Sequence, residues 1–141
     1  MDTLDVTTRR HEVGTGLFFI AATVTAIIGL KLYIPVLHDA DPLGAANTHA
    51  GQIALGAFFE ALLAVANIGT AFMMLPVLSR VSSRFGPAYT IFRSLEVVLI
   101  LVGMVSMLAL VSVGQQFAAE GDRTHGAYEG IGATLVAIHD W

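Results

Sequence analysis

The sequence predicts an all-α fold, a polytopic membrane helical bundle with three transmembrane helices plus a short interfacial helix. Three observations predict it. Long apolar runs occupy residues 13–37, 53–78 and 88–113. Hydrophobic residues make up 55% of the chain and charged residues only 13%, against about 25% charged in an ordinary soluble domain. Mean hydropathy is +0.74. A spanning helix needs about 20 apolar residues to cross a ~30 Å hydrocarbon core at ~1.5 Å per residue, and each run meets that length. Lipid is then the solvent, and residues 1–141 form one integral membrane domain.

The first run follows Arg9 and Arg10, the arrangement of a signal peptide, but a signal peptide's apolar region extends only about 7–15 residues. This run continues from Val13 past Leu30 and meets Lys31, Tyr33 and Pro35 instead of a small-residue cleavage site. It is expected to be retained. Ala22, Ala26 and Gly29 give it a narrow stripe of small side chains.

The connector from His38 to Ala50 holds Asp39 and Asp41 and no lysine or arginine, and Asp41-Pro42 marks a turn. In the second run Gly56, Glu60, Ala64, Asn67 and Ala71 recur at helical spacing, while Phe58, Leu62, Val65 and Phe72 fall elsewhere. Helices in lipid associate through small residues and hydrogen bonds, so the first stripe should face protein and the second the acyl chains. Pro76, near the end of this helix, removes one helical hydrogen bond and bends the last turn. Gly86-Pro87 is a breaker just before the third helix, whose own stripe is Arg93, Glu96, Gly103 and Ser106.

Beyond residue 113 a polar stretch containing Gln115, Gln116, Glu120, Asp122 and Arg123 precedes Tyr128, Ile131, Leu135 and Ile138, a short amphipathic helix near residues 125–139. Its length of about 18 Å does not cross a bilayer, so it is expected to lie along the interface or to introduce a further membrane helix. Trp141 suits an interface as well.

Basic residues orient the chain by the positive-inside bias. Arg9, Arg10, Arg80 and Arg84 fall on one side, Lys31 and Arg123 on the other. The expected arrangement is multi-pass in the cell membrane with a cytoplasmic amino terminus.

Glu60, Asn67, Arg93 and Glu96 are the candidate site, a buried polar cluster. With helix entries near Gln52 and Ala88, Glu60 lies about 12 Å from one boundary and Glu96 about 12 Å from the other, so both carboxyls approach the midplane. Asn67 and Arg93 come out at matching depth. An unpaired charge at the bilayer centre costs about 2.5–3.5 kcal/mol on insertion scales, which demands partners. The simplest is an Arg93–Glu96 pair stapling the bundle. The sharper alternative gives Glu60 an exchangeable proton or a cationic or polar ligand, because a carboxyl taken out of water favours its neutral form.

Cysteine is absent, which excludes disulfides, thiolate catalysis and cysteine-based metal sites. His38, His49, His125 and His139 fall on the expected outer side with Asp39, Asp41 and Asp140, but none pairs at the spacing of a helical metal site. Loop or interfacial positions are expected for them, with no metal and no cofactor. The chain has no P-loop, GxSxG elbow, HExxH helix or dinucleotide fingerprint, and no basic patch for nucleic acid. An enzyme is not expected.

The segments AFFEALLAVANIGTAFMMLPVLSR and FRSLEVVLILVG and the closing AIHDW resemble the bacterial multi-spanning membrane proteins grouped as domain of unknown function 4386. The resemblance covers nearly the whole chain. It implies motif residues at Glu60, Pro76, Arg93, Glu96, His139, Asp140 and Trp141, the last three at the interface. It also implies about six helices in all, so this chain resembles an amino-terminal portion whose later helices are missing. The family brings no established activity.

The reading that results is a non-enzymatic helical-bundle component whose polar cluster organises helices or a ligand pocket. The alternative is a small proton-coupled transporter or transporter subunit using Glu60 and Glu96. The expected partners are membrane lipid and either further helices or copies of the chain in a homo-oligomer.

Overall fold

A computed structural model describes residues 3–120 and 125–140. Its helices are α1 (Thr3–Leu37), α2 (Pro42–Thr48), α3 (Ala50–Val81), α4 (Phe85–Glu120) and α5 (His125–Asp140), with no strand among the described residues. Segments of 27, 32 and 35 residues, His11–Leu37, Ala50–Val81 and Phe85–Ala119, are long and apolar enough to span a membrane. All three lengthen the expected runs. Gly86-Pro87 does not precede α4 but lies in its first turn, where proline's missing N–H has no helical acceptor to lose.

The surface is the inverse of a soluble protein's. Phe58, Val65 and Phe72 are more than half exposed, whereas Gly56, Ala64, Asn67 and Ala71 are buried. Apolar bulk turned outward and small residues turned inward is the arrangement that lipid favours. On α4 the inward stripe holds at Gly103 and Ser106.

α1 and α3 run antiparallel with glycine at the crossings. A Cβ on Gly69 would meet the Phe18 ring, one on Gly29 the Gly56 carbonyl, and one on Gly56 the Tyr33 ring. Hydroxyls along the spans return to their own helix, as Thr25 Oγ1 to the Ala21 carbonyl and Ser106 Oγ to the Gly103 carbonyl, which leaves no donor facing hydrocarbon at those positions.

Two elements depart from expectation. The first connector, expected as a turn, contains the short helix α2, begun by Asp41, whose Oδ1 accepts from the Gly44 N–H, with Pro42 in the first turn. Leu43 and Ala46 of α2 are buried with Tyr33, Val36, Ile53, Met107 and Leu110, so α2 plugs one end of the bundle. Close approach to α4 depends on Gly114, where a Cβ would stand 2.6 Å from the Leu43 carbonyl oxygen. Neither backbone can yield there. Gly114→Val is therefore expected to lower the unfolding free energy in mixed micelles by about 2 kcal/mol. Gly16→Ala is the control, since no atom lies within 4 Å of its added carbon, and it should show no loss.

The second departure is α5. Of the two courses open to it, the contacts select entry into the bundle over a position along the interface. The Phe117 and Tyr128 rings are 5.6 Å apart, while His139 stands against Gly103. α5 therefore descends antiparallel beside α4 for about 16 Å between Tyr128 and His139. Part of its apolar stripe covers protein, since Tyr128 and Leu135 lean on the core with Val136 and Leu43 packs at Gly132, whereas Ile131 and Ile138 stay exposed.

Candidate functional site

The expected single cluster resolves into two polar stations on one face of α3. Glu60 and Asn67 are seven residues apart, about 10 Å along the helix, so each meets a different set of partners.

At the first station Tyr33 of α1, Glu60 of α3 and His139 of α5 converge. The Tyr33 hydroxyl donates to Glu60 Oε2 at 2.9 Å. His139 Nε2 lies 3.3 Å from Glu60 Oε1. The two rings meet edge to face with centroids 4.9 Å apart. Only 15% of the Glu60 side chain and 9% of the His139 side chain are exposed, and Tyr33 is wholly enclosed. Both carboxylate oxygens thus have a ring partner, from helices before and after α3 in the chain. The local sequence explains the fit, because Gly56, one turn before Glu60, leaves the space that the Tyr33 ring fills.

At the second station Asn67 Nδ2 donates to Glu96 Oε1 at 3.2 Å, and Arg93 Nη1 donates to Glu96 Oε2 at 2.6 Å. Arg93 Nε donates to the Tyr89 hydroxyl at 3.2 Å. Its guanidinium carbon is 5.2 Å from the Phe19 ring centroid and 5.8 Å from that of Tyr89, so α1 contributes an aromatic face to the cation. Asn67 is buried, but 47% of the Glu96 side chain is exposed. The Arg93–Glu96 staple is present, one turn apart on α4, and Asn67 ties it to α3.

The structure therefore brings Asn67, Arg93 and Glu96 together and places Glu60 apart from them. His139, expected at the interface, stands at the level of Gly103 because α5 folds back along α4, and Asp140 beside it keeps 58% of its side chain exposed. Trp141 lies outside the described residues. Pro76 is within α3, away from both stations.

Sequence reasoning missed Tyr33 and Tyr89. Tyr89 was findable, since it precedes Arg93 by four residues on one helix face. Tyr33 carried only the weaker sign of a large polar ring opposite a glycine. Among the described residues no three His, Asp or Glu side chains gather as a metal site. A separate cleft of about 610 Å³ opens between α2, α4 and α5, bordered by Asp41, Leu43, Phe117 and Gly132.

Residues 15–141 match the family described as domain of unknown function (DUF4386). The chain belongs to the DUF4386 family. The match takes in the second and third spans, the first from residue 15 onward and the described residues of both stations, so this DUF4386 chain is a multi-spanning membrane protein. No curated protein and no solved structure matches it.

Proposed function

We propose that the chain is a non-enzymatic component of a membrane helical bundle, in which the two stations fix the helices in register. The observation that carries this reading is Glu60, whose two carboxylate oxygens engage Tyr33 on α1 and His139 on α5. An orphaned carboxylate in hydrocarbon is expensive, so one side chain specifies how three helices meet. The amino terminus faces the cytoplasm on this reading, with Arg9, Arg10, Arg80 and Arg84 inside. Lipid covers the outward apolar faces, and further helices or a second copy cover the exposed side of Glu96.

The experiment is a double-mutant cycle with Tyr33→Phe and Glu60→Leu on the full chain in mixed micelles. A coupling of about 0.6–1.7 kcal/mol supports the tie, and additive effects oppose it. Cysteine labelling from each side of vesicles tests the orientation.

Proton-coupled transport is the second reading, favoured by the contact of Glu60 with a histidine. Glu96 is held by Arg93 and Asn67, which suits a fixed tie. Pyranine-loaded vesicles containing the protein test it. Candidate solutes that drive proton flux lost in Glu60→Gln support transport, and flux unchanged in that variant removes Glu60 from it.

A further inference from the structure

The histidine at the first station has one nitrogen too many for a clamp. His139 Nε2 faces Glu60, but Nδ1 is buried and finds no hydrogen-bond partner among the described residues. No tautomer removes the defect. With the proton on Nε2, Nδ1 is an unmatched acceptor, and with it on Nδ1 or on both it is an unmatched donor. An orphan of this kind is costly to keep buried. Glutamine would offer Glu60 the same N–H without a buried second ring nitrogen. Among the described residues Asp140 Oδ1 lies 3.8 Å from Nδ1, beyond hydrogen-bond length, on a side chain 58% exposed.

We propose that His139 relays a proton from Asp140 to Glu60, so that Glu60 is a proton-binding site reached from the bundle surface. The Asp140 carboxyl gives its proton to Nδ1 after one rotation of its exposed side chain. The Nε2 proton then passes to Glu60 Oε1. Asp140 ends as carboxylate, Glu60 as carboxylic acid and the imidazole as the opposite neutral tautomer, with one proton moved and no net charge created. The Tyr33 hydroxyl, already donating to Oε2, keeps the carboxyl aimed at the ring throughout.

The surroundings suit this path. α1 presents Tyr33, α3 presents Glu60, and α5 contributes His139 and Asp140. α4 presents Gly103, which stands beside the imidazole. The α2 residues in the nearby core are Leu43, Ala45 and Ala46, all apolar. Arg93 is paired with Glu96 at the other station, and among the described residues no lysine or arginine is seen at this carboxylate. The relay does not depend on solute transport, nor on the bundle having any particular partner.

The test is time-resolved infrared spectroscopy of the full chain in nanodiscs during a pH drop across about pH 8 to pH 5. The carboxylic-acid C=O band lost in Glu60→Gln belongs to Glu60. In the wild type it should rise quickly, and in Asp140→Asn, an exposed change that leaves the fold intact, on the order of tenfold more slowly. His139→Gln, which keeps an N–H on Glu60, should slow it at least as much. Nitrogen-15 spectra of His139 should report the tautomer exchange alongside. A Glu60 band absent from the wild type, or rising at wild-type rate in Asp140→Asn, overturns the relay. Should His139→Gln release α5, the Asp140→Asn rate alone decides.

Discussion

Replacing Glu60 with leucine is expected to lower the unfolding free energy in mixed micelles by about 2–4 kcal/mol, and to loosen α5 before the rest of the bundle. The size follows from what is left behind. An interhelical hydrogen bond in lipid contributes on average about 0.6 kcal/mol and at most about 1.7. Loss of two bonds alone therefore gives a modest effect. The Tyr33 hydroxyl and the imidazole would also remain enclosed without an acceptor, at about 1–3 kcal/mol for each orphan. Leucine is close to glutamate in volume, so packing does not account for the loss. Glu60→Gln keeps a carbonyl for Tyr33 and an amide for the ring, and should cost only about 1 kcal/mol. α5 responds first because His139 is its deepest polar contact and its other anchors are apolar. Hydrogen exchange separates the outcomes, with faster exchange in residues 125–140 expected for the leucine variant and unchanged exchange there opposing the assignment. A Tyr33→Phe change made with it should add less than it costs alone, since the hydroxyl has already lost its acceptor.

The same residue shows where sequence reasoning reaches its limit. The stripe on α3 was legible because lipid leaves small and polar side chains only one favourable direction, and Gly56, Ala64, Asn67 and Ala71 turn inward as that rule requires. Helical spacing likewise made the Arg93–Glu96 staple legible, since three residues set both partners on one turn. Glu60 and His139 are 79 residues apart, and no local periodicity links them. Their meeting depends on the direction α5 takes after residue 124. An amphipathic stripe of this length is satisfied equally by a lipid interface or by the α4 flank. Depth counting failed for a related reason. It assigned Glu60 and Glu96 to a common midplane, but carboxyls on antiparallel helices pair by register at the crossing, and the crossing puts Asn67, not Glu60, opposite Glu96. α2 was hidden because seven residues carry too little periodicity, although Asp41-Pro42 is a sound helix start once a helix is allowed there.

Gly56→Leu should be at least as damaging as loss of Glu60, with an expected cost of about 3 kcal/mol or more from overpacking and the lost tie together. Helix propensity acts in the opposite direction, because removing glycine from a helix interior stabilises by roughly 0.5–1 kcal/mol. The sign of the result thus decides between the two effects. A Cβ at position 56 would stand 2.9 Å from Tyr33 Cζ and 3.0 Å from Cδ1, and closer still to Cε1. A flexible neighbour could swing aside, but this ring is fully buried in a cluster with Val36, Leu43, Ile53, Met107 and Leu110 and meets His139 edge to face. Relief therefore requires α1 and α3 to separate, which also withdraws the Tyr33 hydroxyl from Glu60. Adding Tyr33→Ala to Gly56→Leu moves volume from one helix to the other, and the double variant should be more stable than Gly56→Leu alone despite two substitutions. Thermal or detergent unfolding of the three variants measures this. A Gly56→Leu protein as stable as the parent would mean that α1 and α3 do not approach closely at Gly56, and the first station would lose the contact that positions it.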